Sequence, residues 1–159
     1  MSVRIREFRR GDEPALREVF SSAIHGTASA DYTREQIDAW APEAVDREDW
    51  ARRMREIKPF VAEEGGRIVG YADVQGDGYI DHFYVAATVA RRGVGSALMR
   101  QIHATATARG ATGLYSHVSI TARPFFEKWG FHVEAEQRPS VRGVSMTNFR
   151  MRKSLLQPS

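Results

Sequence analysis

The sequence contains no cysteine, which excludes disulfides, cysteine–metal sites and a cysteine nucleophile, and suits a reducing compartment. It also lacks any apolar run approaching about 18 residues, so no membrane span is expected. The opening "MSVRIREFRR" has no apolar stretch of the secretory-leader kind. The reading is a cytoplasmic protein with no membrane partner. Repeats, low-complexity tracts and linkers are missing too, and 159 residues suit one domain spanning 1–159. No histidine pair has metal-ligand spacing, so no metal is expected. Neither sign of charge dominates: 23 basic against 20 acidic residues leave +3. The pI of 9.5 raises a nucleic-acid module as a rival reading. The arginines, however, lack the aromatic interleaving of single-strand binders. No nucleic-acid partner is expected, and a phosphate-bearing small molecule would need only a local basic patch.

What is present is a sequence of alternating elements. "SVRIREFR" alternates apolar and polar residues as a strand does. Asp12 is placed to cap a helix with Pro14 in its first turn and Leu16, Val19, Phe20 and Ile24 on one face. Thr33 is placed to cap "REQIDAW", and "DREDWARRMREI" (46–57) puts Trp50, Met54 and Ile57 on one side of a third helix. "PFVAEEGGRIVGYADVQ" reads as two strands around Glu64-Gly65-Gly66, and "YIDHFYVAA" as another. A helix over 94–108, a strand over 114–119, a short helix over 122–129 and two last strands, "FHVEAEQ" and "VSMTNFRMRK", complete the order. The strands at 79–86 and 114–119 with the helix between them form a βαβ unit, which should be parallel.

"VARRGVGSALM" (89–99) interrupts this pattern with glycines where a helix should begin. A strand, a glycine loop and a helix N-terminus together make an anion site, because the first N–H groups of a helix lack internal partners. Arg91 and Arg92 add permanent charge. A turn flanked by solvated arginines would have the same sequence. A Walker loop is excluded because Ser96-Ala97 follow Gly95, where Lys and Ser/Thr are required. The dinucleotide fingerprint is excluded because Leu98 stands where its third glycine belongs.

"YIDHFYVAATVARRGVGSALM", followed by "SITARPFFEKWGFH", resembles the GNAT superfamily of N-acetyltransferases, whose loop is Q/R-x-x-G-x-G/A. The resemblance runs the length of the chain. The segments "TASADYTREQIDAWAP" and "QRPSVRGVSMTNFRMR" resemble more narrowly a YafP-type bacterial subgroup. It implies an α/β GNAT fold: a mixed, mostly antiparallel central sheet with a parallel, splayed strand pair and flanking helices. It implies acetyl-CoA as acetyl donor. Arg91, Arg92, Gly93, Val94, Gly95 and Ser96 would cradle its pyrophosphate, Phe83, Tyr84 and Val85 would hold the pantetheine arm, and Ser119 and Phe126 would complete that site. Two positions depart from the family pattern. Ala90 stands where Gln or Arg opens the motif, and Phe126 stands where a tyrosine often protonates the leaving thiolate.

Attack on a thioester needs a free amine, which at pH 7 is roughly one molecule in a few thousand for a pKa near 10.4, so a positioned base matters. Period two places Tyr79, Asp81, Phe83 and Val85 on one strand face. The resemblance puts catalytic bases at the positions of Tyr79 and Asp81. An ion pair of Asp81 with Arg138 or Arg142 is the structural alternative. His82 should face the other way as a packed residue, and His25 and His117 lie near cleft edges. Tyr32, Gln36 and Trp40 would line the acceptor pocket, although Trp40 at helical spacing from Ile37 also suits ordinary core. Arg138, Arg142 and Asn148 would reach the pocket from the last strands and suit an acceptor carrying a carboxylate. The expected function is transfer of acetyl to a primary amine of a small molecule or peptide. A catalytically silent CoA-binding sensor is the rival that Ala90 and Phe126 suggest. The last strand leaves a homodimer open.

Overall fold

The computed structural model describes residues Ser2–Leu156, so Met1 and 157–159 of the expected domain lie outside the described residues. Ten strands and five α-helices follow in the order β1 (Arg4–Glu7), α1 (Glu13–Ser22), α2 (Arg34–Trp40), α3 (Arg47–Ile57), β2 (Phe60–Glu64), β3 (Arg67–Ala72), β4 (Tyr79–Ile80), β5 (Phe83–Val85), α4 (Val94–Ala108), β6 (Gly113–Ser119), α5 (Arg123–Lys128), β7 (His132–Gln137), β8 (Ser140–Val141), β9 (Val144–Ser145) and β10 (Asn148–Ser154). They form two four-stranded sheets, β1-β2-β3-β5 and β4-β6-β10-β7, with a small β8–β9 hairpin. All pairings are antiparallel except β4 with β6, where Tyr79 faces Tyr115 and Ile80 faces Ser116. The expected mixed, mostly antiparallel arrangement and its parallel pair are therefore present.

Two hydrophobic clusters lie on opposite faces of the sheets. One joins Val94, Leu98, Met99 and Ile102 of α4 and Phe126 of α5 to Ala62, Val69, Ile80, Leu114, Val118 and Met151 of the strands. The other joins Leu16, Val19 and Phe20 of α1, Ile37 of α2 and Met54 and Ile57 of α3 to Val61 and Tyr71. Leu98, Met99 and Ile102 are fully buried, each burial stabilising by about 1.5–3 kcal/mol.

Local chemistry sets the helix ends. Thr33 and Gln36 form the reciprocal capping box at α2, and the Asp46 carboxylate accepts the Glu48 and Asp49 N–H groups at α3. The expected side-chain cap by Asp12 is not made. The Arg6 guanidinium takes both oxygens of Asp12 at 2.9 Å, and the Arg9 N–H donates to one of them. Beyond α1 the chain widens into a π-turn over Ala23–Thr27. Gly26 there lies so close to the 87–89 turn that a Cβ would come within 2.6 Å of the Ala87 Cβ. The last strand also differs from expectation. Residues 140–145 turn back as the β8–β9 hairpin about Arg142 and Gly143, both at positive φ, and β10 starts only at Asn148.

Candidate active site

The strand expected over 79–86 is two strands in two sheets. β4 pairs with β6, β5 pairs with β3, and Asp81-His82 between them belong to neither. The cause is Asp73, a carboxylate with no exposed surface. One of its oxygens accepts the Asp81 N–H at 3.1 Å and the His82 N–H at 2.6 Å, and the other accepts from Gln75 Nε2 at 2.6 Å. The Asp73 N–H in turn donates to the His82 carbonyl at 3.1 Å. Two successive N–H groups aimed at one acceptor is how a bulge breaks strand alternation. Burial pushes the Asp73 carboxyl up to about 6, against the pull of these donors.

The break changes which residues share a face, correcting the period-two reading. Phe83 and Val85 turn with Ile80 toward the α4–α5 cluster. His82 and Tyr84 turn toward α1 and α3, where both rings contact Phe20 and Tyr71. Asp81 also faces the α3 side. Its carboxylate is half-buried and ion-paired with Arg53 of α3, and the Tyr79 hydroxyl donates to its other oxygen at 3.4 Å. The partner is thus Arg53 and not Arg138 or Arg142. Burial and the neighbouring Asp81 charge push the Tyr79 phenol up to about 12. Burial lowers His82 to about 4, outweighing the opposing pull of Asp81, so the ring is neutral at pH 7. Its Nδ1 lies 3.0 Å from the Tyr71 hydroxyl.

The same break opens a groove. β6 runs on from His117 to Ser119 with no partner on the β4 side. On β5, the bonded pairs of the antiparallel ladder fall at Ala86–Val69 and His82–Asp73. By alternation Tyr84 bonds Tyr71, and the peptide groups of Phe83 and Val85 face the open edge. A groove of about 560 Å³ lies there. Phe83, Tyr84, Val85, Ser119 and Phe126 line it, with Ala90, Arg91, Gly93, Gly95, Ser96 and Lys128 along the loop and α5, and Trp40 on the α2 side.

The loop is a nest of N–H donors. Arg91 holds φ +66 and Gly93, at the N-cap of α4, φ +88. Helix-internal bonding begins with the Ala97 N–H on the Gly93 carbonyl, leaving the N–H groups of Val94, Gly95 and Ser96 at the helix mouth. A Cβ on Gly93 would meet nothing within 4 Å, so the space in front is open. Successive backbone N–H groups at a helix start fit a pyrophosphate. The two arginines differ. Arg91 lines the groove, whereas Arg92 is held 3.0 Å from Glu64, whose carboxylate is nearly buried.

The other sequence-identified residues are placed as follows. The Tyr32 hydroxyl donates to the Thr147 carbonyl at 2.6 Å and accepts the Ile120 N–H at 2.9 Å, so both its hydrogen-bonding directions are engaged. Gln36 binds the Thr33 N–H and the Ser145 carbonyl. Arg142 donates to the Ala39 carbonyl at 2.8 Å, while Arg138 extends to solvent near Glu136. His25 donates to the Ala41 carbonyl at 2.6 Å, and His117 contacts Gln137, which also reaches Asn148. Ser119 Oγ accepts the Ala122 N–H at 3.0 Å. Phe126 is buried among Phe83, Phe125 and Phe131. Sequence reasoning missed Asp73, Arg53 and Lys128. Asp73 carries the same signal as Asp81, a carboxylate in an apolar strand. Arg53 sits in the basic run "RRMR" and carries none.

A family model described as an acetyltransferase (GNAT) domain matches residues 28–153. The chain belongs to the GNAT acetyltransferase family. This GNAT chain is 35% identical over 151 residues to the uncharacterized N-acetyltransferase YafP of Escherichia coli K12, covering 95% of each chain. It superposes with TM-score 0.93 and 31% identity on a GCN5-related N-acetyltransferase from Rhodopseudomonas palustris, covering 98% and 97% of the two chains. The PaiA N-acetyltransferase of Thermoplasma acidophilum, solved with coenzyme A, shares the fold at TM-score 0.76 and 19% identity, with 97% and 99% covered. Among the described residues, no group of His, Asp or Glu side chains is arranged to hold a metal, and no helix is long and apolar enough to cross a membrane.

Proposed function

We propose that this chain transfers the acetyl group of acetyl-CoA directly to an amine. The observation that carries the reading is the open β5 edge, which leads from the peptide groups of Phe83 and Val85 to the N–H nest at α4. In this reading the N–H groups of Val94 to Ser96 hold the pyrophosphate, with Arg91 and Lys128 as cations on the same groove. The peptide groups of Phe83 and Val85 hold the pantetheine arm, and an N–H on this edge meets the thioester oxygen as it gains charge. Asp81 takes the proton of the attacking amine, within reach of the Tyr79 hydroxyl.

Phe126 has no proton to give the departing thiolate. Among the lining residues the phenol is Tyr84, held protonated by burial, and it takes that role in this reading. A thiol of pKa about 8.5 leaves tolerably near neutral pH, so the demand on Tyr84 is small. Phe126 equally favours a second reading, a CoA-binding sensor without turnover.

One experiment separates the two. Thiol release from acetyl-CoA is followed across a panel of amines, with acetyl-CoA binding read by thermal shift. Transfer to at least one amine is expected, with Asp81→Asn lowering kcat by about 10²–10⁴-fold while acetyl-CoA binding stays within about twofold. Binding without thiol release for any amine would establish the sensor instead.

A further inference from the structure

The groove does not end at the β5 edge, because its walls come from both faces of the sheets. Phe83, Val85, Phe125 and Phe126 pack with the α4–α5 cluster. Ile24, Ala28, Trp40 and Tyr84 pack with the α1–α3 cluster on the other face. A cavity walled by both clusters passes through the gap where β5 and β6 part. The N–H nest serves the donor at the first end. The second end is the space left for whatever meets the acetyl group.

The second end is apolar and aromatic. At the π-turn that closes α1, the Ala28 N–H donates to the Ala23 carbonyl five residues back. Single π-turns inside helices recur at functional sites because they re-aim side chains, and here Ala23, Thr27 and Ala28 all line the groove. Their short side chains leave the space open. Trp40 and Tyr84 line the same end with their ring centroids 6.4 Å apart, and Tyr32 backs Trp40 at 5.4 Å. Among the described residues, the charged side chains on the groove are Arg91 and Lys128, both cations at the phosphate end, and no carboxylate lines it. Arg138, Arg142 and Asn148, expected from the sequence to meet an acceptor carboxylate, do not line it either. Asp81, two residues ahead of Phe83, serves the reacting nitrogen alone and is already paired with Arg53. A second ammonium, or a carboxylate, would give up water at this end with no partner to meet. An uncharged ring loses nothing there and gains ring contacts.

Resting on the transfer reaction above, we propose that the acceptor is a primary amine carried on an uncharged aromatic body, its nitrogen at the β5 edge and its ring between the π-turn and Trp40. Trp40 is then the residue that sets acceptor choice. The site discriminates against polyamines and amino acids by leaving their extra charge without a partner, and against plain alkylamines by what the ring alone contributes.

The test uses the full chain and four matched primary amines, followed by thiol release from acetyl-CoA. They are 2-phenylethylamine, phenylalanine (the same body with a carboxylate), butylamine (no ring) and putrescine (butylamine with a second ammonium). Wild type is expected to favour 2-phenylethylamine over each of the others by at least about 30-fold in kcat/KM. Trp40→Ala should cut its lead over butylamine to about threefold by raising KM for the ringed amine, and Trp40→Phe should keep most of that lead. Acetyl-CoA thermal shift confirms that each variant is folded and loaded. The proposal is overturned if any of the other three, or a ringless amine from the wider panel, matches 2-phenylethylamine in wild type, or if Trp40→Ala leaves the lead intact. A longer acyl chain is the other possible occupant of this end. Hexanoyl-CoA outrunning acetyl-CoA, with Trp40→Ala moving the donor ratio instead of the acceptor ratio, also overturns the proposal. Silence for every amine, with acetyl-CoA bound, overturns the transfer reaction itself and this inference with it.

Discussion

The loop at residues 90–96 and the face around Asp81 handle charge in opposite ways, although only a few residues separate them in sequence. The loop offers partial positive charge from peptide N–H groups, fixed by the conformations of Arg91 and Gly93. The Asp81 face instead pairs full charges on side chains from separate elements, Asp81 ahead of β5 and Arg53 of α3. A backbone site depends on a few torsions and tolerates many side chains. A side-chain site depends on distant elements arriving together, and single exchanges retune it.

The contrast is most directly broken at Gly93. Gly93→Asp would place a carboxylate where the loop collects N–H groups and would strain a left-handed position by about 1–2 kcal/mol. Acetyl-CoA affinity by calorimetry should fall by at least about 100-fold. An affinity within threefold of wild type would remove the loop from donor binding.

Asp73 is where the two kinds of construction meet, a side-chain carboxylate holding peptide N–H groups. Its folded pKa of about 6 lies above the ordinary 3.8. Its contribution to stability is therefore full below 3.8 and is lost as pH rises through 6. His82 runs the other way: its folded value of about 4 lies below 6.5, so its contribution is present above 6.5 and lost as pH falls through 4. The difference between Asp73→Asn and wild type cancels the His82 part. Denaturant titrations from pH 4 to 7 should show the variant gaining on wild type by up to about 3 kcal/mol. A flat difference would mean that the N–H donors fully offset the burial of this carboxylate.

The smallest effect sharpens the comparison inside the loop. Arg91→Ala should weaken acetyl-CoA binding by about 3–10-fold. Arg92→Ala should leave affinity within about twofold and lower the stability by about 1 kcal/mol, because Glu64 loses its partner. Equal losses of affinity would make the two arginines equivalent.

The loop was legible in the sequence because its determinants are local: glycines, arginines and a helix start within a few residues. The Thr33 cap was legible for the same reason, and the parallel β4–β6 pairing because a strand–helix–strand connection leaves little other choice. The strand break at Asp81-His82 was not, because it is imposed by Asp73, eight residues away just past the end of β3, and period-two reading carries straight across it. Arg53 was invisible for a related reason. Its partner is chosen by how α3 lies against the Asp81-His82 break, and nothing in "RRMR" distinguishes the arginine that meets Asp81 from those that meet Asp49 or Glu13.

Gly26 has a consequence for how such a protein changes over time. The clearance between the end of α1 and the turn at Ala87 is that of a residue without a side chain, and the Ala87 N–H is pinned to Ser22 Oγ at 3.0 Å. That turn feeds the loop at α4. The contact works as a gauge block between the end of α1 and the turn that leads into the α4 loop. Any shift of α1 would therefore carry the 87–89 turn, and the loop it feeds, along with it. Sequence drift in this region is thereby steered to residues that sit clear of the block.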